Sequence, residues 1–148
     1  MVFLSTSEEA LCEGIGMFMD RHEHELPLDR TFLLCIDTIG SPHLTVLRGE
    51  GMLRMREYPR ESLELLDSTA AELGIGLFPN LRLRNATDAV VPLSRGYQCA
   101  ALCSCNRLKN PANYHWRTDT PENVDYSTLR DGIRLVEAVV RRLDERWL

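Results

Sequence analysis

Two adjacent carboxylates, Glu8 and Glu9, a third, Asp37, and a histidine, His115, are the side chains of this sequence best suited to chemistry at a metal. Glu8 and Glu9 follow the apolar run at 2–4, Asp37 closes the run at 31–36, and His115 lies in the polar segment Asn113-Tyr114-His115-Trp116-Arg117-Thr118-Asp119-Thr120-Pro121. In open α/β sheets, sites collect at the carboxyl ends of strands, so the polar residues just after each apolar run are the ones to gather. Zinc accepts carboxylate oxygen and imidazole nitrogen alike. A further carboxylate beside it serves as general base toward the metal-bound water. An acidic pair at a helix N-terminus also has a plain structural reading, as a cap and as a complement to the helix dipole, and spacing does not separate the two.

The remaining candidates read as structure. His22 and His24 lie two apart near a helix end, where positions i and i+2 point about 200° apart, so they do not form a ligand pair. His43 follows Pro42 in a turn and reads as a surface residue. Cys99, Cys103 and Cys105 share parity and in a strand project to one face, while Cys35 sits in the most apolar run. Buried small hydrophobes are the expected role for these cysteines. Cys103-Ser104-Cys105 lacks the two-residue spacer of zinc knuckles, and no activating neighbour marks a catalytic thiol.

The elements that must position these residues alternate between strand and helix. The run at 2–4 predicts a strand and 9–24 a helix, with Leu11, Ile15, Phe18 and Met19 on one face. The continuous run at 31–36 predicts a strand buried on both faces, and 44–47, 81–83 and 99–103 predict further strands. Pro59 suits a helix start, with Leu63, Leu66, Ala70 and Leu73 recurring before Gly74 stops it. The last helix is expected to be capped by Asp125 or Ser127, with Leu129, Ile133, Val136, Val140 and Leu143 as its apolar stripe. The alternation predicts one α/β layered domain over 1–148.

Composition narrows the function classes. The chain has 148 residues, 44% of them hydrophobic, which is enough to bury a core, and a net charge of −5. An acidic chain of pI about 5.4 lacks the basic footprint that nucleic acid or an anionic membrane surface requires. The longest strongly apolar stretch, Phe32–Ile36, is far short of a membrane span. Five cysteines do not form a closed disulfide framework and fit free thiols, hence a cytoplasmic expectation.

Four segments carry a resemblance: Leu4-Ser5-Thr6-Ser7-Glu8-Glu9, Cys35-Ile36-Asp37-Thr38-Ile39-Gly40, Arg84-Asn85-Ala86-Thr87-Asp88, and Tyr114-His115-Trp116-Arg117-Thr118-Asp119-Thr120-Pro121-Glu122-Asn123-Val124-Asp125. In order and spacing they resemble the second half of the M28 family of zinc-dependent aminopeptidases. The stretch from Arg95 to Leu102 is similar to that family's strand entry, with Gln98-Cys99 in place of a proline. The resemblance implies Glu8 as general base, Glu9 and His115 as ligands of one zinc, Asp37 as a ligand of a second, and Tyr114 as a hydrogen-bond donor to the oxyanion. It also implies a peptide or amino-acid amide as substrate, and a three-layer α/β/α arrangement around a mostly parallel mixed sheet of the phosphorylase/hydrolase-like kind.

The same resemblance implies a deficit. The family's other histidine and its metal-bridging aspartate come from chain preceding the Glu-Glu pair, and none of the seven residues before Glu8 is His or Asp. Catalytic zinc normally has three protein ligands, so weak or absent zinc binding is expected of these residues alone. The N-terminal half of the fold is expected to be missing and the sheet to keep an open edge. Two function classes follow: a zinc metallopeptidase represented by its C-terminal half, or a catalytically incomplete fragment or split-gene product that self-associates or pairs with the missing half through its exposed sheet.

Overall fold

A computed structural model describes residues 1, 2, 4, 6, 9 and 11–147. The strand expected at 2–4 lies partly outside the described residues; Val2 and Leu4 themselves are not in a strand. The first helix, α1, is shorter than expected, Glu13–Arg21, followed by a 3₁₀ turn over Glu23–Glu25. Leu11 and Cys12 take left-handed backbone angles, φ 57° and 60°, which a continuing right-handed helix excludes.

The central sheet has three strands, β1 (Phe32–Ile36), β2 (His43–Val46) and, following three short strands of a smaller sheet and two helices, β6 (Gln98–Cys105). β6 lies in the middle, parallel to β1 and antiparallel to β2. The sheet is therefore mixed, as expected, with its parallel pairing confined to β1 and β6. Helix α2 (Arg60–Glu72) starts just after Pro59, and Gly74 ends it at φ 68°, the left-handed conformation that glycine adopts without a Cβ penalty. Helix α4 (Tyr126–Trp147) is capped by Asp125, whose Oδ1 accepts from the Ser127 and Thr128 amides at 3.0 and 3.1 Å.

Alternation along β6 divides the core. Ala100 and Leu102 face α2 and α4 and pack with Leu66, Ala70, Leu135 and Val139. Cys99, Ala101, Cys103 and Cys105 face the opposite layer with Leu47, Tyr58, Leu81 and Ala89. That second layer holds α1, a one-turn helix α3 (Val90–Ser94) and a small sheet of β3 (Gly49–Glu50), β4 (Arg56–Glu57) and β5 (Arg82–Leu83), in the order β4-β3-β5. The result is an α/β/α sandwich whose second layer is partly β.

One correction concerns α4. Of the stripe expected to be buried, Leu129, Ile133, Val136, Val140 and Leu143, Val136 and Leu143 pack against the core at its margin, and the stripe is not the most deeply buried face. The fully buried residues are Leu135 and Val139, while Ile133 is 62% exposed. The helix carries two adjacent apolar stripes, and a sheet only three strands wide covers one of them.

Candidate active site

The C-terminal ends of the parallel pair β1 and β6 gather the candidate residues. The Asp37 amide continues the β1 ladder by donating to the Leu102 carbonyl at 3.0 Å, which places its carboxyl at the end of β1. Beyond it the chain turns sharply, with Thr38 at φ 46° and Gly40 at φ 148°. The Ser104 hydroxyl, near the end of β6, holds this turn. It accepts from the amides of Gly40 and Ser41 at 3.0 and 2.8 Å and donates to the Thr38 carbonyl at 2.7 Å. Ser41 passes the constraint on, because its hydroxyl accepts from the Ala112 amide at 2.8 Å and so anchors the loop that carries Tyr114 and His115. The Gly40 carbonyl accepts from the Asp125 amide at 2.8 Å and ties the same turn to the start of α4.

Within that loop Asn113 and His115 both take φ near 60° (59° and 58°), an uncommon conformation for residues other than glycine. The Tyr114 and His115 rings stack at 3.9 Å, and His115 Nε2 lies 3.5 Å from Glu9 Oε1. Glu9 and His115 are both open to solvent. Glu8 lies outside the described residues. Asp37 is close enough to Glu9 for the charges to interact: burial first, then the Asp88 and Glu9 carboxylates, push the Asp37 carboxyl above its usual range.

Two carboxylates that sequence reasoning left without a role belong to this arrangement. Asp88 accepts a hydrogen bond from the Thr6 hydroxyl through Oδ2, while its Oδ1 is buried without a hydrogen-bond partner among the described residues. Burial raises its pKa. Glu50, on β3, is fully buried. Its Oε2 accepts from the Thr87 amide at 2.7 Å, and its Oε1 accepts from the Tyr58 and Thr87 hydroxyls at 2.7 and 3.2 Å. Burial pushes its pKa up, and those donors work against the rise. Glu50 thereby fixes the residue next to Asp88. In the sequence its only mark was its place between Gly49, which lies against the β4 backbone, and Gly51, which lies against the backbone of the turn before β4.

The other candidates keep their structural roles. His22 and His24 lie beside Glu25 at the surface. His43 opens β2, not a turn, and stacks on Phe78 at 5.8 Å between ring centres. The cysteines are free, and burial raises the Cys35 and Cys99 thiols to about 12, so neither is an activated nucleophile.

The donor set can be tested against zinc. Two ligands about 2.1 Å from a tetrahedral zinc stand roughly 3.4 Å apart, and the 3.5 Å between Glu9 Oε1 and His115 Nε2 matches that separation. The match ends at two donors: among the described residues no group of three His, Cys, Asp or Glu side chains is placed to hold a metal ion. The described residues therefore do not complete a zinc site.

No protein-family profile and no curated protein matches the chain. Among solved structures, the crystal structure of a glutaminyl cyclase from an Acidobacteriales bacterium superposes with a TM-score of 0.69 at 16% sequence identity, over 91% of this chain and 46% of that one. The fold is shared with a glutaminyl cyclase. The chain spans about half the length of the solved chain it matches, 46%. Among the described residues no helix is long and apolar enough to cross a membrane.

Proposed function

We propose that this chain forms the C-terminal half of a zinc-dependent catalytic domain that acts on amide bonds at peptide N-termini, with aminopeptidase-type hydrolysis as its reaction. One observation carries the reading: Glu9 and His115, 106 positions apart in the chain, stand at zinc-ligand separation beside Asp37 on a zinc-peptidase-like fold. In hydrolysis the oxygen of water adds to the carbonyl carbon, the C–N bond breaks, and the amine leaves with a proton. Zinc, once its ligand set is complete, supplies a water with a pKa near 7. This chain's own residues supply two ligands, Glu9 and His115, with the carboxyls of Asp37 and Asp88 beside them, both pushed above their ordinary range by burial. Glu8 is the proposed base, on the resemblance alone.

A second reaction is favoured by the solved neighbour, whose name specifies ring closure of a glutaminyl group. There the peptide's α-amine takes the place of water, attacks the side-chain amide carbon and releases ammonia. Zinc titrated into the chain is expected to bind weakly and to lose that binding in Glu9→Ala and in His115→Ala. Binding unchanged in both variants refutes the site. Aminoacyl-p-nitroanilide hydrolysis and ammonia release from an N-terminal glutaminyl peptide, measured on the full-length parent with Glu8→Gln as control, separate the two reactions.

A further inference from the structure

Glu9 and His115 lie outside the central sheet and the helices α1 to α4, so their separation is set by whatever ties their segments to the core. For His115 the tie is the Ala112 amide on the Ser41 hydroxyl. For Glu9 it lies at the turn formed by Thr87 and Asp88, which two strands grip. From β3, Glu50 accepts from the amide and the hydroxyl of Thr87. From β1, the Cys35 thiol is in hydrogen-bond contact with the Thr87 side chain. The Ala89 amide closes the turn by donating to Thr87 Oγ1 at 3.2 Å.

Cys12 fastens the first segment to this fixed turn. It occupies the N-cap position of α1, where Ser, Thr, Asp or Asn ordinarily directs a side-chain oxygen to the helix amides. The Cys12 thiol makes no bond to those amides. It turns instead to the Thr87 carbonyl, 3.5 Å from Sγ, and to the Asp88 carboxylate. The left-handed backbone of Leu11 and Cys12 leads it there, a conformation that residues other than glycine keep where their surroundings over-determine it. Those surroundings are Ile15, Met19 and Tyr97, among which Cys12 is buried. At the other end of the segment the Thr6 hydroxyl donates to Asp88 Oδ2. The stretch 6–12, on which Glu8 and Glu9 lie, is thus held at both ends by one turn.

We propose that Cys12 is a positioning residue of the candidate site: its thiol, with the Thr6 hydroxyl, staples the segment of Glu8 and Glu9 to the Thr87–Asp88 turn and so holds Glu9 opposite His115. The functional meaning of the staple rests on the site proposed above. Two groups that act together from distant parts of a chain must each be held to within about 0.5 Å by neighbours whose own rotamers are locked. An apolar residue of the size of Cys12 packs equally well against Ile15 and Met19 but leaves the segment tied at Thr6 alone. Cys99 differs in this respect, since it belongs to the cluster around Tyr58 and Leu81 in the second layer.

The test reads the contact between Glu9 and His115 directly, in the full chain without added metal. In ¹H–¹³C NMR spectra at fixed pH, Glu9→Gln is expected to shift the His115 ring signals, because an amide replaces a carboxylate 3.5 Å away. The same shift difference is then measured in other backgrounds. It is expected to be lost in Cys12→Ala and retained in Cys12→Ser, whose hydroxyl keeps a donor toward the turn. It is also expected to be retained in Cys99→Ala, which removes the same group from the other cluster. Thr6→Val, at the half-buried far end of the staple, is expected to diminish it, so a Cys12→Ala chain that fails to fold still leaves a deciding variant. Full retention in Cys12→Ala or in Thr6→Val overturns the proposal and leaves zinc titration as the test of the site. Loss in Cys12→Ser or in Cys99→Ala makes the effect one of packing alone and overturns it too. No shift from Glu9→Gln in the wild-type background means that the two side chains do not meet, which overturns the proposal and the site together.

Discussion

Replacing Glu50 separates the cost of a buried charge from the value of the bonds around it. In Glu50→Ala the Thr87 amide and the Tyr58 and Thr87 hydroxyls lose their acceptor. The hydroxyls can turn; the amide of fully buried Thr87 cannot. An unsatisfied buried donor costs about 1–3 kcal/mol, and the cavity left by the carboxyl adds to it, so a total of about 3–5 kcal/mol is expected. For a chain of this size that lowers the melting temperature by roughly 6–20 °C. In Glu50→Gln the amide oxygen accepts from Thr87 N–H while the amide nitrogen donates to the two hydroxyls, so every bond is kept without a charge. The folded-state pKa of Glu50 lies above its ordinary 4.5, so between those values the native state binds a proton that the unfolded chain has released. Wild-type stability therefore falls as pH rises through that window, by up to about 1.4 kcal/mol per pH unit for one proton. Asp37 and Asp88, raised likewise, add slopes of the same sign. Glu50→Gln is expected to flatten the dependence by one proton's share and to match or exceed wild-type stability at pH 7.5. Urea unfolding followed by circular dichroism at half-unit steps from pH 5 to 8 measures this. A Glu50→Gln variant as unstable as Glu50→Ala at every pH refutes the reasoning.

Three further outcomes are expected. Ser104→Ala leaves the Gly40 and Ser41 amides without their acceptor and is expected to cost about 2–4 kcal/mol by urea unfolding; it also loosens the turn that anchors the His115 loop, so the His115 ring NMR shifts are expected to change. Asp125→Ala removes the α4 cap and is expected to cost about 0.5–2 kcal/mol at pH 7. The Asp125 carboxyl is held below its usual 3.8 by bonds from Ser127 and Thr128, so the wild type's advantage is expected to fade as pH drops through that lowered value. Native Cys35 and Cys99 are expected to react with iodoacetamide only on unfolding, which a mass-spectrometric time course with and without urea will show.

The parts of the fold legible in the sequence are those where one physical rule dominates. The shared parity of Cys99, Cys103 and Cys105 is the two-residue repeat of a strand, and the structure puts all three on one face. Asp125 and Gly74 mark helix ends because a side-chain acceptor and a left-handed turn are local requirements. What escaped the sequence depends on neighbours distant along the chain. The strands β3 and β4 are two residues each, too short for any period to register, whereas β5 falls within the strand expected at 81–83. Which of α4's two apolar stripes is buried depends on the width of the sheet beneath it, and that is a tertiary fact. Within the site, His115 and Glu9 were legible from their types and surroundings. Glu50 and Asp88 were not, because a buried carboxylate announces itself only through the donors that surround it.

The register of β1 against β6 joins Phe32 to Gln98, 66 positions later. Closing so long a loop costs chain entropy before any contact repays it, and such non-local parallel pairings form slowly. Until β6 arrives, β1 waits with both edges bare, and Asp37 and the His115 loop have no frame, because the Leu102 carbonyl and the Ser104 hydroxyl that hold them belong to β6. The order of events during folding is thus written into the middle strand: the candidate site assembles late, and the most apolar edge in the chain is exposed to chance encounters for as long as that takes.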